Sequence, residues 1–289
     1  MTNIATATPP RRRLIQSRVL RRFMAHRLAL IGAIIVLLFA IMAIAAPLIA
    51  PYEPNASSWS AIRKAPTWLH WFGTDELGRD VMSRVIWGAR ASLLAGVVSV
   101  AIAFVIGVPI GMLAGYFGGP LDTVIMRIID AFLAIPFLIL AIAMAAFLGP
   151  SLTNAMIAIG VSTAPVFARI ARGQTMAVKV EEYIEAAHAI GTGHVAILIR
   201  HVFINITPQL VVQSTLAIAT AIIAEAALAF LGLGQQPPDA SWGSMLNSAS
   251  SSLSIAPWIA IWPGLAIFLT VLGFNLLGDG LQDALDVKG

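Results

Sequence analysis

The chain has 289 residues, of which 58% are hydrophobic and only 11% charged. Soluble domains carry about 25% charged residues, so this composition excludes a soluble globular protein and identifies an integral membrane chain. The absence of cysteine removes disulfides, thiolate metal sites and a cysteine nucleophile, and the net charge of +4 follows membrane topology rather than indicating nucleic acid.

Residues 1–27 form a basic leader with Arg11, Arg12, Arg13, Arg18, Arg21, Arg22 and Arg27. The uncharged run over residues 28–50 exceeds the roughly 7–15 residue apolar core of a signal peptide, so it reads as a retained anchor. As a helix it is long enough to cross about 30 Å of hydrocarbon. The arginines before it predict a cytoplasmic N-terminus. Pro47, Pro51 and Pro54 stop the anchor, and residues 51–90 make the longest polar connection, placed outside by alternation. Within it Val81, Met82, Val85, Ile86 and Ala89 share one side, with Asp80 and Arg84 one turn apart on another. That spacing predicts a helix lying on the outer membrane surface with an Asp80–Arg84 pair. Asp75, Glu76, Arg79 and Asp80 allow a ligand or metal site or mutual ion pairing, and their alternation with bases favours pairing.

Residues 91–278 divide into five further spans. The second span, residues 91–114, contains Gly96, Gly107, Pro109 and Gly111, small residues that let helices approach where lipid supplies no hydrophobic drive. Gly118, Gly119 and Pro120 form a tight inner turn. The third span, residues 125–148, carries Arg127 and Asp130, whose spacing predicts a local ion pair, and has Pro136 within it. Gly149 and Pro150 turn the chain outside, and the fourth span, residues 152–170, ends at Arg169 and Arg172.

A polar loop over residues 172–205 follows, with Lys179, Glu181, Glu182, Glu185, His188, His194, Arg200 and His201 gathered between two apolar runs. Val180, Ile184 and Ala187 recur on one side, which predicts a short helix. Gly191 closes it in the left-handed conformation and a second helix begins after Gly193. Ala186 and Ala187 at the tip would let a partner's backbone come close; the competing reading is a solvated connection. The three histidines suggest no metal set, because Gly191 and Gly193 separate the first two.

The fifth span, residues 206–231, holds one acid deep in apolar sequence, Glu225. An ionised side chain there costs roughly 2.5–3.5 kcal/mol, so Glu225 needs a partner or water. Two readings stand equal. One is an interhelical hydrogen bond to Gln213, Ser214, Thr215 or Thr220; the other is a place on a translocation path, where the carboxylate meets a cationic group of the cargo. After the outer turn at Pro237 and Pro238, the last span covers residues 255–277, and residues 279–289 form a polar tail with Asp279, Asp283, Asp286 and Lys288. Basic residues concentrate on one side of this arrangement, which predicts six spans with both termini cytoplasmic. No phosphate-binding glycine loop, zinc-protease motif or serine-nucleophile elbow occurs, so catalysis and ATP binding within the chain are not expected.

Three stretches carry a resemblance. Glu185, Ala186, Ala187 and Gly191 resemble the EAA loop of permeases of ATP-binding cassette importers. HWFGTDELGRDVMSRVIWGARASL over residues 70–93, and EAALAFLGLGQQPPDASWGSML over residues 225–246, resemble the second permease subunit of dipeptide, oligopeptide and nickel importers. Where the family's loop closes with Leu-Pro this chain has Phe203 and Ile204, and Pro208 is expected to supply the break. The resemblance implies an all-α polytopic helix bundle of six transmembrane helices with a MetI-like permease core, in the bacterial inner membrane. It also implies a second homologous permease subunit, two ATP-binding cassette subunits that bind ATP and Mg outside this chain, and an extracytoplasmic substrate-binding protein. The EAA loop would dock on the ATPase, and the cargo would be dipeptides or oligopeptides, alternatively glutathione or nickel. An ion-coupled secondary transporter using Glu225 and Asp130 is the rival; its expected internal repeat and paired broken helices are not found.

Overall fold

The computed structural model describes residues 22–285. The arginines from Arg11 to Arg21 in the basic leader, and Asp286 and Lys288 of the tail, lie outside the described residues. The elements in chain order are α1 (Arg27–Ile44), α2 (Ala46–Ile49), α3 (Val81–Phe117), α4 (Gly119–Leu133), α5 (Phe137–Leu148) and α6 (Leu152–Val178). There follow α7 (Glu182–Ala189), α8 (His194–Ile197), a wide turn at Leu198–Phe203, α9 (Ile204–Phe230), α10 (Trp242–Ala249) and α11 (Trp258–Leu285). Among the described residues five helices are long and apolar enough to cross a membrane, and α4 with α5, bent by 87°, makes a sixth when the pair is counted together.

One end of the bundle carries the α7 region and is called the loop end. The other carries the long connection between α2 and α3 and is called the hairpin end. Buried apolar side chains form two clusters. One is shared by α3, α5, α6, α7 and α9, and the other by α1, α3, α9, α10 and α11. The small residues expected to permit close packing do so along α3 and α6. A Cβ at Gly107 would overlap the Ala164 carbonyl oxygen, and one at Gly111 the Ala168 carbonyl oxygen. Spaced four apart, these glycines form one stripe against the alanines of α6, so backbone meets backbone. Several hydroxyls inside the spans turn back on their own helices, as Thr163 does to the Ile159 carbonyl at 2.7 Å and Thr207 to the Phe203 carbonyl at 2.7 Å.

Four local expectations differ from what is found. No separate surface helix occupies Val81 to Ala89: those residues are the first turns of α3, and Val81, Val85, Ile86 and Ala89 are buried against the bundle. Asp80 does not pair with Arg84. It caps α3, accepting from the Ser83 N–H and hydroxyl at 2.7 Å each, and meets His70 Nδ1 at 2.9 Å; an N-cap acid satisfies orphan helix donors better than a side-chain pair would. The third span is broken at residues 134–136, because Pro136 cannot continue α4's hydrogen-bond ladder. Asp130 bonds Arg169 of α6 at 2.5 Å rather than Arg127, since α6 passes within reach.

The acid and base residues of the α2–α3 connection do satisfy one another. Asp75 accepts from Arg79 Nε at 2.6 Å and lies 3.5 Å from Arg84 Nε, and all three are buried. Arg84 also donates to the Pro54 carbonyl at 3.0 Å and the Pro238 carbonyl at 3.3 Å, joining two connections at the hairpin end.

The seam between α3 and α6 generates a prediction. Gly111→Val forces two backbones apart and is expected to cost roughly 3 kcal/mol, the upper end of overpacking penalties. Gly264→Ala, where nothing lies within 4 Å of the added carbon, is expected to leave stability unchanged. Thermal unfolding of the two variants in detergent checks both.

Candidate functional site

The loop between α6 and α9 is built on fixed supports. Lys179, just past α6, donates from Nζ to the Gly115 carbonyl at 3.0 Å and the Tyr116 carbonyl at 3.4 Å, placing a cation on the C-terminal carbonyls of α3. About two helical turns earlier, Arg172 makes a two-pronged contact with Asp122 of α4, at 2.5 and 2.6 Å. α7 begins after Glu181, with Glu182 and Glu185 in its first turn, where negative charge suits the helix dipole. It ends as the sequence predicts: Gly191 has φ +79°, its N–H bonds the His188 carbonyl at 2.9 Å, and the Thr192 N–H bonds the Ala187 carbonyl at 3.0 Å. This pair of bonds is the Schellman closure.

The loop helix is two-sided. Ile184 and Ala187 are buried in the core cluster shared with Ile197 and Leu198, while Glu182, Glu185 and Ala186 are exposed. Of the two alanines expected at the tip, only Ala186 is there. Val180, expected on the inner side with Ile184, is 68% exposed; it precedes α7, so the helical spacing does not reach it. Around the charged face lie Ile190 and Val195, 83% and 69% exposed.

The second helix does not break at Pro208. His194 to Phe230 passes as one span through the wide turn at Leu198–Phe203, and Pro208 lies within α9. Neighbouring helices support a proline inside a membrane span, and the wide turn absorbs the irregularity before it. His188 and His194, separated in sequence by the glycine turn, come together on α3: the Tyr116 hydroxyl is 3.2 Å from His188 Nε2 and 2.9 Å from His194 Nδ1. Among the described residues no group of three or more metal-ligating side chains forms.

Glu225 is fully buried between α3 and α9. Its Oε2 accepts from the Ser92 hydroxyl at 3.2 Å, and the same Ser92 oxygen accepts the Trp242 N–H at 3.2 Å. Of the partners expected from the sequence, Ser214, Thr215 and Thr220 bond carbonyls of their own helix instead, and Gln213 does not bond it. The carboxyl therefore ties α9 to α3 and α10, and in this conformation it faces no opening.

Open polar surface lies elsewhere on α6 and α9. Ser162, Thr163, Gln213 and Thr220 line a cavity of about 360 Å³ that is completed by Phe132 and Phe137 on either side of the α4–α5 bend. Gln213 stands about 20 Å along the helix from Arg200 and about 27 Å from Leu231, at mid-span. Among the described residues no hydrogen bond holds its amide. The sequence offers Gln213 and Thr220 only as partners for Glu225, because nothing in their spacing shows that the fold brings them together with Ser162 and Thr163 of another span.

Residues 107–288 match the family described as the inner membrane component of binding-protein-dependent transport systems, and residues 17–66 match the N-terminal transmembrane domain of oligopeptide transport permease C. The chain is 48% identical over 269 residues to the glutathione transport system permease protein GsiD of Escherichia coli O6:K15:H31, covering 93% of this chain and 89% of that protein. GsiD of Pectobacterium atrosepticum is 45% identical over the same shares. Among solved structures, inward-facing forms of the MetNI methionine ABC transporter share the fold, with TM-scores of 0.57 and 0.58 at 24% identity; the first match covers 69% of this chain and 94% of that one. Together with the membrane-length helices, these matches establish the chain as a multi-pass protein of the bacterial inner membrane that belongs to the permease family of binding-protein-dependent ABC importers.

Proposed function

We propose that the loop over residues 172–205, with Glu185, Ala186, Ala187 and Gly191 at its centre, is the element on which an ATP-hydrolysing subunit docks. The observation that carries this is the two-sided α7: its outer face is acidic and open, and its inner face is packed into the same core as α3, α6 and α9. A push on Glu185 and Ala186 is then delivered to the spans through Ile184 and Ala187. Such a contact lets nucleotide-driven closure of the partner bias a two-state helix bundle.

In this reading the loop end is cytoplasmic. Arg169, Arg172, Lys179 and Arg200 lie there, in keeping with the basic bias of cytoplasmic segments. The chain has six spans with both termini inside, and works with a second homologous permease, two ATPase subunits and an extracytoplasmic binding protein. ATP and Mg belong to the ATPase subunits. The polar face of α6 and α9 forms this chain's half of the path, in place of Glu225. The cargo class is short peptides, and the relatives named as glutathione permeases favour that tripeptide within the class.

Gly191 tests the docking loop. A β-branched residue is strained at φ +79°, whereas Asn tolerates the left-handed region. In the reconstituted complex, Gly191→Val is expected to lower cargo uptake at least tenfold while ATP hydrolysis persists, and Gly191→Asn to keep most of it. Wild-type coupling in the Val variant would remove the docking assignment.

The path is tested by Gln213→Leu, which fills the cavity with an apolar side chain. Uptake is expected to fall several-fold, with the ATPase subunits still copurifying. Cargo is settled in vesicles by competing labelled glutathione, a dipeptide panel and nickel for ATP-dependent accumulation; glutathione is expected to accumulate. Accumulation driven by an ion gradient without ATP would overturn the importer reading for this complex.

A further inference from the structure

The connection between α2 and α3 contains a hairpin whose base is closed by backbone pairs. The Thr74 N–H bonds the Lys64 carbonyl at 3.0 Å, and the Arg63 N–H bonds the Asp75 carbonyl at 3.0 Å. Its tip exposes three large apolar side chains: Trp68 at 96%, Leu69 at 74% and Trp71 at 62%. A patch of this kind marks a contact surface.

The hairpin's direction identifies the medium it meets. At the base, the Thr74 carbonyl accepts from Trp258 Nε1 at 3.1 Å, at the first residue of α11. Toward the tip, Phe72 stacks on Trp262, with ring centroids 3.8 Å apart, one turn further along α11. The hairpin thus runs back down the helix toward the bilayer. From Asp279 to Trp262 α11 rises about 26 Å, which puts the stacked pair near the far edge of a hydrocarbon layer of about 30 Å. Tryptophan is an interfacial anchor at that level. Ile261 and Leu265, on the same helix, are exposed, so the tip continues a lipid-facing surface.

The tip is also prepared for a medium poor in hydrogen bonds. Trp71 Nε1 donates to the Trp68 carbonyl at 3.1 Å, the Tyr52 hydroxyl to the Leu69 carbonyl at 2.9 Å, and the Thr67 N–H to the His70 carbonyl at 2.9 Å. At the base, Arg63 and Lys64 are exposed, and cations beside an aromatic tip suit lipid phosphates above buried rings.

We propose that the tip, residues 66–72, is a lipid anchor seated in the headgroup layer of the leaflet at the hairpin end, holding the α2–α3 connection onto the membrane. The proposal rests on the spanning of α1 and α11. Because the chain has no cysteine, single nitroxide labels can be placed at Leu69→Cys and Trp68→Cys in the complete complex, in nanodiscs of phosphatidylethanolamine and phosphatidylglycerol. Leu48→Cys, on the exposed face of α2, is the lipid reference and Ala56→Cys the water reference.

The ratio of oxygen to water-soluble nickel-chelate collision rates is expected to be several-fold higher at Leu69 and Trp68 than at Ala56, and close to that at Leu48. A ratio equal to that at Ala56 overturns the proposal. Exclusion of both probes overturns it in favour of a neighbouring subunit, and a lipid-like ratio seen only after adding the binding protein overturns it in favour of a protein contact.

Discussion

The close approach of α3 to α6 is the constraint on which the rest of the bundle depends. Where Gly107 and Gly111 lie on the carbonyls of Ala164 and Ala168, no compressible side-chain layer separates the helices. Such a seam has no hydrophobic drive in lipid and holds by contact alone, so its geometry must be exact along its length. Lys179 then fixes the end of α6 to the last carbonyls of α3, and Arg172 ties α6 to α4. The loop that carries α7 is therefore mounted on a stiff pair of spans, the support that the proposed docking role requires.

The hairpin end is held by a different kind of force. Asp75, Arg79 and Arg84 are buried together, and each would be expensive without the others. Their pairing makes the α2–α3 connection a cover on the bundle, with Asp80 capping α3 beneath it. Glu225 extends the same logic downward: through Ser92 it reaches the first N–H of α10, so one carboxyl holds three helices. Contact packing at one end and buried polar pairs at the other leave the middle of α6 and α9, beside the α4–α5 bend, as the place where the Gln213 amide lines a cavity with no hydrogen bond among the described residues.

Much of this was legible in the sequence because it is local. The spans follow from uncharged runs, and the closure of α7 follows from Gly191, since a left-handed residue after a helical period has few alternatives. What was not legible depends on distant partners. Asp80 and Ser83 spell a helix cap as well as Asp80 and Arg84 spell an ion pair, and only the burial of Val81 and Val85 decides between them. Asp130 chose Arg169 and Glu225 chose Ser92, residues 39 and 133 positions away. Two histidines of the loop, His188 and His194, meet on Tyr116 because the glycine turn reverses the chain, an outcome that spacing along a single helix cannot express.

The contrast between Glu225 and Gln213 bears on selectivity. A carboxylate facing a path would favour cations and repel acidic cargo, whereas the Glu225 carboxyl is enclosed here, with Oε2 accepting from Ser92. The open face offers an amide and three hydroxyls, which can give or accept hydrogen bonds and carry no net charge. Peptides differ mainly in side chains and share their amide groups, so if the proposed path runs here, a neutral hydrogen-bonding surface would admit many of them with similar ease. On the proposed path, discrimination would then rest with the protein that delivers the cargo, and the bundle would need only to open and close around it.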